Sequence, residues 1–109
     1  MGVVSLCSAR RTSEQAVELE GVFRVVANAT RLRTLQALAR AGELCVTDLA
    51  IAVSMTPQAV SNQLQRMVDR GILGFRRNGN NVHYRIVDSC ITRILDLGLC
   101  LTEDAKRRA

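Results

Sequence analysis

Apolar residues recur at three- and four-residue steps through most of the chain, the spacing that places them on one face of an α-helix. The first such stretch begins at Thr12 with the capping-box pattern T-S-E-Q. A second helix is predicted from about residue 29 to residue 40, with Asn28 as its N-cap and Gly42 as its end. Two amphipathic helices therefore open the chain.

The stretch "ELCVTDLA" predicts the start of a short third helix. Thr47 can cap this helix, and Val46 and Ile51 occupy the positions of a hydrophobic staple. Neither the helix nor an ordinary core requires the thiol of Cys45. The Cys45 thiol is therefore a candidate functional group.

A fourth helix is predicted to begin at Pro57 and to end near residue 70. One of its faces is apolar, and the other carries uncharged hydrogen-bonding side chains instead of the Lys and Glu of an ordinary solvated face. Because Asn and Gln can pair with adenine, this polar face indicates contact with DNA bases. The predicted contact residues are Thr56, Gln58, Ser61, Asn62, Gln65 and Arg66.

The segment "ILGFRRNGNNVHYRIV", residues 72–87, alternates apolar and polar positions around an Asn- and Gly-rich turn, which predicts a β-hairpin. Its cations suit contact with phosphate or with the minor groove. The predicted DNA-contacting residues of the hairpin are Arg76, Arg77, Asn80, His83 and Arg85.

Asp88 can cap a last helix that runs to about Asp104 and is apolar nearly all round, so that it must be buried. In so small a chain, a second copy of the protein is the expected cover. The predicted dimer contacts are Val22, Ile91, Ile94, Leu95 and Leu99. Residues 1–12 are expected to form a flexible arm, residues 13–105 the folded domain and residues 106–109 a frayed basic tail.

The totals are consistent with one mainly helical domain of 109 residues, 48% of them hydrophobic, with two Phe, one Tyr and no Trp. The net charge of +5 makes a polyanion such as DNA a plausible partner. No segment approaches eighteen continuous apolar residues and no signal peptide is evident, so we expect a cytosolic protein without a membrane partner. One histidine and no glycine-rich phosphate loop argue against an enzyme.

The chain combines four cysteines with one histidine. A reducing compartment keeps thiols free, which favours metal binding or redox sensing over disulfides. Soft ligands select soft ions, here Hg(II), Cd(II), Pb(II) or As(III), and disfavour Ni(II), Co(II) or a histidine-type zinc site. Each thiol could instead be a small hydrophobe packed in a core. The candidate ligands are Cys45, Cys100, Cys90 and Cys7.

Helices, a polar reader helix and a basic hairpin together make up a dimeric winged helix-turn-helix. The segments "NATRLRTLQALARAGELCVTDLA", "TPQAVSNQLQRMVDRGIL" and "RRNGNNVHYRI" resemble, in that order and spacing, the ArsR/SmtB family of metal-sensing repressors. The likeness covers roughly residues 15 to 100. It implies a homodimer, paired through its first and last helices, that blocks transcription from an operator until an inducer binds. By dyad symmetry the operator should be an imperfect inverted repeat in double-stranded DNA.

The resemblance also implies two thiol sites. In the family's paired-cysteine motif, Cys45 matches the first cysteine but Thr47 replaces the second, so a site there needs another sulfur, for which Cys7 is the candidate. In the family's last-helix site, Asp88 and Cys90 match the first pair of ligands. The second pair falls on Leu101 and Asp104, and leucine cannot bind a metal.

Helix geometry suggests a variant of the last-helix site. Cys90 and Cys100 are about 15 Å apart along one helix, too far to share an ion. If two such helices cross antiparallel near Leu95, Cys90 of one copy faces Cys100 of the other.

The sequence thus predicts a repressor that senses a thiophilic metal or metalloid through thiolates and then releases DNA. A redox or persulfide switch on the same fold is an alternative. A constitutive DNA-binding module with structural cysteines is another.

Overall fold

The computed structural model describes residues 13–108, which form five helices and one three-stranded antiparallel sheet. In chain order these elements are α1 (Ser13–Val26), α2 (Ala29–Ala41), β1 (Leu44–Cys45), α3 (Val46–Val53), α4 (Pro57–Asp69), β2 (Leu73–Asn78), β3 (Asn81–Ile86) and α5 (Ser89–Arg108). Helices α3 and α4 form the helix-turn-helix, and strands β2 and β3 form the wing. The predicted winged helix-turn-helix is confirmed.

Side-chain caps begin the helices at the predicted positions. The Asn28 side-chain oxygen accepts hydrogen bonds from the backbone N–H groups of Thr30, at 3.0 Å, and Arg31, at 3.2 Å. The Thr56 hydroxyl accepts from the N–H of Ala59 at 3.2 Å. These bonds satisfy N–H groups that have no partner within the first helical turn.

The start of α3 differs from the prediction. The strand residue Cys45 occupies the N-cap position without a side-chain capping bond, and Thr47 lies inside the first turn, so Thr47 is not the cap. Ile51 is 74% exposed and cannot complete a staple with Val46. The reason is the unpredicted strand β1, whose Leu44 and Cys45 pair with β3 and hold the chain extended until the residue before the helix.

The core lies between α2, α3, α4 and the base of the wing. Its fully buried side chains follow the three- and four-residue spacing of apolar positions in these helices. They include Leu35, Leu38, Leu49, Val60, Leu64 and Met67. Because the apolar side of α4 packs into this core, the polar side of α4 faces away from it.

Helix α5 is longer than predicted. Its start is as expected, because the Asp88 carboxylate accepts a hydrogen bond from the N–H of Cys90 at 2.9 Å. The helix continues past residue 104 to Arg108, so residues 106–108 are helical and do not form a frayed tail. Basic residues at a helix C-terminus interact favourably with the helix dipole, and Arg107 also lies 3.5 Å from Asp104.

Within residues 13–108, no helix has the length and apolarity needed to cross a membrane.

We expect Asn28→Ala to lower the free energy of unfolding by about 1 kcal/mol, because α2 loses the acceptor for two N–H groups. Asn28→Asp keeps a side-chain oxygen and should change the stability by only a few tenths of that amount. Urea unfolding at a fixed protein concentration measures both. Equal losses in the two variants would contradict the capping role.

Candidate nucleic-acid interface and thiol sites

The predicted reader residues lie together on the outer side of α4. Gln58, Asn62 and Gln65 are exposed and Ser61 is half-buried. The Gln58 amide donates to the Asn62 side-chain oxygen at 3.3 Å, and the Gln65 amide donates to the Asp69 carboxylate at 2.8 Å. This row presents amide donors and acceptors on a rigid helix, the arrangement that can read base edges in a major groove.

The two remaining reader candidates flank this row. Thr56 is exposed, but its hydroxyl is already used to cap α4. Arg66 is exposed, follows Gln65 directly and is the one positively charged residue of α4. The helix therefore offers one cation and a row of neutral polar groups.

The wing turns through two residues, Gly79 and Asn80. Gly79 has φ 66°, the left-handed value that the first central residue of a type II′ hairpin turn requires. Asn80 is exposed at the tip, and Arg77 and Arg85 are exposed on the strands. Neither arginine forms an ion pair or side-chain hydrogen bond with another of the described residues, so both guanidinium groups can meet phosphate.

Arg76 is in a different situation from the other wing cations. Its guanidinium donates to both carboxylate oxygens of Glu43, with contacts of 2.7, 2.9 and 3.1 Å. The Arg76 hydrogen bond lowers the pKa of Glu43; burial opposes this, and the charges of Arg76, His83 and Arg85 add to the lowering. The predicted DNA contact Arg76 is thus held by a carboxylate 33 positions away, which no local sequence signal revealed.

His83 lies inside the sheet's pairing pattern. It is half-buried, with Cys45 directly opposite on β1 and Arg76 directly opposite on β2. The sequence predicted a solvent- or phosphate-facing imidazole and did not predict β1. The structure brings the lone histidine of the chain beside one of its thiols.

The thiols occupy two separate regions. Cys45 is half-buried at the base of the wing, whereas Cys90 and Cys100 are exposed on α5. Cys7 lies outside the described residues. Within residues 13–108, no three Cys, His, Asp or Glu side chains converge as a metal site.

Helix α5 carries large apolar side chains that the other described residues leave exposed. Leu97, Leu99 and Leu101 are 69%, 52% and 66% exposed. Ile94 and Leu95 are half-buried and pack against the core, as does Ile91, which is only 4% exposed. The structure therefore assigns Ile91 to the core of the protomer, which corrects its prediction as a dimer contact.

Helix α1 also carries exposed apolar side chains. Val22 is half-buried, and its neighbours Leu19 and Phe23 are 55% and 48% exposed. Of the predicted dimer contacts, Val22, Ile94, Leu95 and Leu99 keep some accessible surface in the single chain.

We expect the Glu43 carboxyl to titrate below its ordinary pKa of 4.5, because the Arg76 hydrogen bond favours the charged form. The ion pair then stabilises the fold above pH 4.5, and this contribution is lost as the pH falls through the lowered pKa. Carboxyl-carbon NMR measures the midpoint. Arg76→Gln should return it toward 4.5, and an unchanged midpoint in this variant would contradict the assignment.

Residues 28–73 match the family model for bacterial regulatory proteins of the arsR family. A transcriptional repressor SmtB homolog from Synechocystis is 38% identical over 81 residues, which are 74% of this chain and 61% of that protein. The chain thus spans about three fifths of the length of that relative.

Two solved structures are also similar. The crystal structure of the AntR antimony-specific transcriptional repressor is 64% identical, covers 88% of this chain and 86% of its own, and superimposes with a TM-score of 0.79. The homodimeric winged helix-turn-helix DNA-binding domain of a possible ArsR-family regulator from Mycobacterium bovis is 30% identical, covers 93% of this chain and 95% of its own, and has a TM-score of 0.74. The reader helix and the wing of this structure agree with these likenesses. The chain therefore belongs to the ArsR family of DNA-binding transcriptional regulators, which are not enzymes.

Proposed function

We propose that this protein is a homodimeric operator-binding repressor that releases DNA when a trivalent metalloid, Sb(III) or As(III), binds thiolates of α5. The observation that carries the proposal is that Cys90 and Cys100 are both exposed on α5, a helix that also carries exposed leucines. The antimony-specific repressor that is 64% identical supports the choice of ion. The protein would work in the cytoplasm, where thiols stay reduced.

The dimer follows from the exposed leucines of α5. Leu97 and Leu101 share one face of the helix and Leu99 lies on another, and a soluble monomer would leave all three in water. Burying each such side chain contributes about 1.5–3 kcal/mol. The homodimeric Mycobacterium bovis domain supports a second copy as the cover. Pairing through α5, with α1 alongside, leaves both reader helices and both wings free for DNA.

The operator should be an imperfect inverted repeat. A twofold dimer places its two α4 helices in successive major grooves about one helical turn apart, so each half-site is read by one copy of Gln58, Asn62 and Gln65. Two chains of charge +5 also attract DNA through its phosphates. Arg77 and Arg85 of each wing are the proposed phosphate or minor-groove contacts.

The thiols can meet only across the dimer. Cys90 and Cys100 are ten residues apart on one helix, about 15 Å, so one protomer cannot bring both to one ion. An antiparallel crossing near Leu95 places Cys90 of each copy beside Cys100 of the other. Two equivalent thiolate pairs result, and soft thiolates favour metalloids, Hg(II), Cd(II) or Pb(II) over Ni(II), Co(II) or a histidine-type zinc site.

The contact between the two α5 helices of the dimer is called the α5 seam. Ion binding at this seam can change the affinity for DNA, because α5 packs against the core that positions the reader helix. Helix α5 contacts α2, and its buried Ile91 belongs to the same core as Leu64 and Met67 of α4. A change in the angle between the two α5 helices therefore changes the separation of the two reader helices. A coupling of about 1–3 kcal/mol, which is typical of allosteric proteins, would lower operator affinity roughly 5- to 150-fold.

A redox switch is the second candidate, because the same exposed thiols could form a disulfide across the seam. An oxidant in the binding assay separates the two candidates. A constitutive DNA-binding module would respond to neither ion nor oxidant.

We expect Arg77→Gln to weaken operator binding and to reduce the slope of log affinity against log salt by about 0.9 for each phosphate that is no longer neutralised, or nearly 2 for a dimer. The double variant Glu43→Gln/Arg76→Gln removes an ion pair at constant net charge and should leave the slope unchanged. Fluorescence anisotropy over a salt series measures both. A fall in slope only for the double variant would place the phosphate contact at Arg76.

We expect Sb(III) and As(III) to release the wild-type repressor from its operator, and Cys90→Ser or Cys100→Ser to abolish that release while leaving metal-free DNA binding intact. Cys45→Ser is the matched control and should respond as wild type does. Anisotropy with Sb(III), As(III), Hg(II), Cd(II), Pb(II), Zn(II) and an oxidant measures this. Release that is abolished only in Cys45→Ser would overturn the seam site, and release by oxidant alone would favour the redox switch.

A further inference from the structure

The exposed amides on the outer side of α4 continue into a carboxylate that the sequence did not single out. These amides, Gln58, Asn62 and Gln65, are called the reader row. Asp69 follows Gln65 by four residues, so it lies on the same side of the helix, and it is exposed as well. The reader row is therefore extended by one negatively charged group.

Helix stability does not account for a carboxylate at this position. Asp69 is the last residue of α4, where the helix dipole favours Lys, Arg or His, and the gain from one side-chain pair on a helix is small. Within residues 13–108, Asp69 forms no ion pair. The guanidinium of the next residue, Arg70, lies instead over Gly21 of α1, where a larger side chain would clash with it. DNA phosphates would also repel the charge of Asp69.

The hydrogen bond between Gln65 and Asp69 has one possible direction. The Gln65 amide nitrogen donates to the Asp69 carboxylate at 2.8 Å. An ionised carboxylate only accepts hydrogen bonds, so Gln65 must turn its NH₂ group toward Asp69 and its carbonyl oxygen away. The Gln58–Asn62 pair differs, because two amides can exchange the donor and acceptor roles by turning both groups over. Asp69 thus fixes the orientation of one amide in the reader row.

The fixed carbonyl oxygen determines which base edges Gln65 can meet. In the major groove, adenine N6 and cytosine N4 are amino donors, whereas guanine O6 and thymine O4 are acceptors. A carbonyl oxygen accepts from the amino groups and is repelled by the two oxygens. The homeodomain variant of the helix-turn-helix reads bases from positions i, i+3, i+4 and i+7 of one helix. Gln65 stands at the last of these positions when Gln58 is the first.

We propose that Asp69 sets part of the DNA sequence preference by holding Gln65 so that it selects adenine or cytosine over guanine or thymine. The selection applies to one position in each operator half-site, and it rests on the proposed reading of the operator by α4. Asp69 acts through Gln65 and is a positioning residue. Without the carboxylate, the Gln65 amide can turn over and offer its NH₂ group to the O6 or O4 acceptors, so the preference is lost.

The test uses the full chain without metal ion and a pool of double-stranded DNA of randomised sequence. The wild-type protein selects its preferred sequence from this pool, and fluorescence anisotropy then measures its affinity for each single-base variant. Gln65→Ala identifies the position that Gln65 reads, because the preference should fall only there. At that position we expect the wild type to bind adenine or cytosine about tenfold more tightly than guanine or thymine.

Asp69→Asn should reduce this preference to less than about threefold and leave the other positions unchanged. The substitution also removes a negative charge near the phosphates, so the deciding quantity is the ratio of the affinities for two bases. Asp96→Asn is the matched control, because it removes the same charge from an exposed position on α5. This control should keep the wild-type ratio at every position.

Three results would overturn the role of Asp69 and leave the proposed repressor intact. They are a wild-type ratio retained by Asp69→Asn, a wild-type preference for guanine or thymine at the position of Gln65, and no effect of Gln65→Ala at any position. Failure to select any sequence from the pool would contradict the operator-binding repressor itself, and this inference with it. The metalloid response enters none of these measurements.

Discussion

The proposed assembly depends on the exposed leucines of α5. Ile91 packs this helix into the core, whereas Leu97, Leu99 and Leu101 are more than half exposed. None of the other elements within residues 13–108 covers them. A second copy covers them by symmetry, and the same symmetry spaces the reader helices for an inverted repeat and brings thiols of different chains together.

Local signals in the sequence predicted most of the fold. Asn28, Thr56 and Pro57 mark helix starts because capping is decided within one turn, and the apolar stripe of α4 follows from a periodicity of 3.6 residues. The wing followed from alternation around Gly79. Each of these signals comes from residues fewer than five positions apart. It can therefore be recognised in the sequence without knowledge of the fold.

Features that depend on long-range pairing were missed. A two-residue strand such as β1 has no periodicity, and without it neither the Cys45–His83 pair nor the Glu43–Arg76 ion pair could be foreseen. Periodicity also could not decide which side of α5 faces the core, because apolar residues surround that helix. For this reason Ile91 was assigned to the dimer while it is buried within the protomer.

The proposed metalloid site requires that one ion is shared by Cys90 of one protomer and Cys100 of its partner. Mixed Cys90→Ser and Cys100→Ser proteins separate this arrangement from any other, because each homodimer lacks every such pair whereas the heterodimer regains one. We predict that Sb(III) releases the operator from the refolded mixture but from neither variant alone. A mixture that stays as unresponsive as its two components would contradict a site built across the dimer.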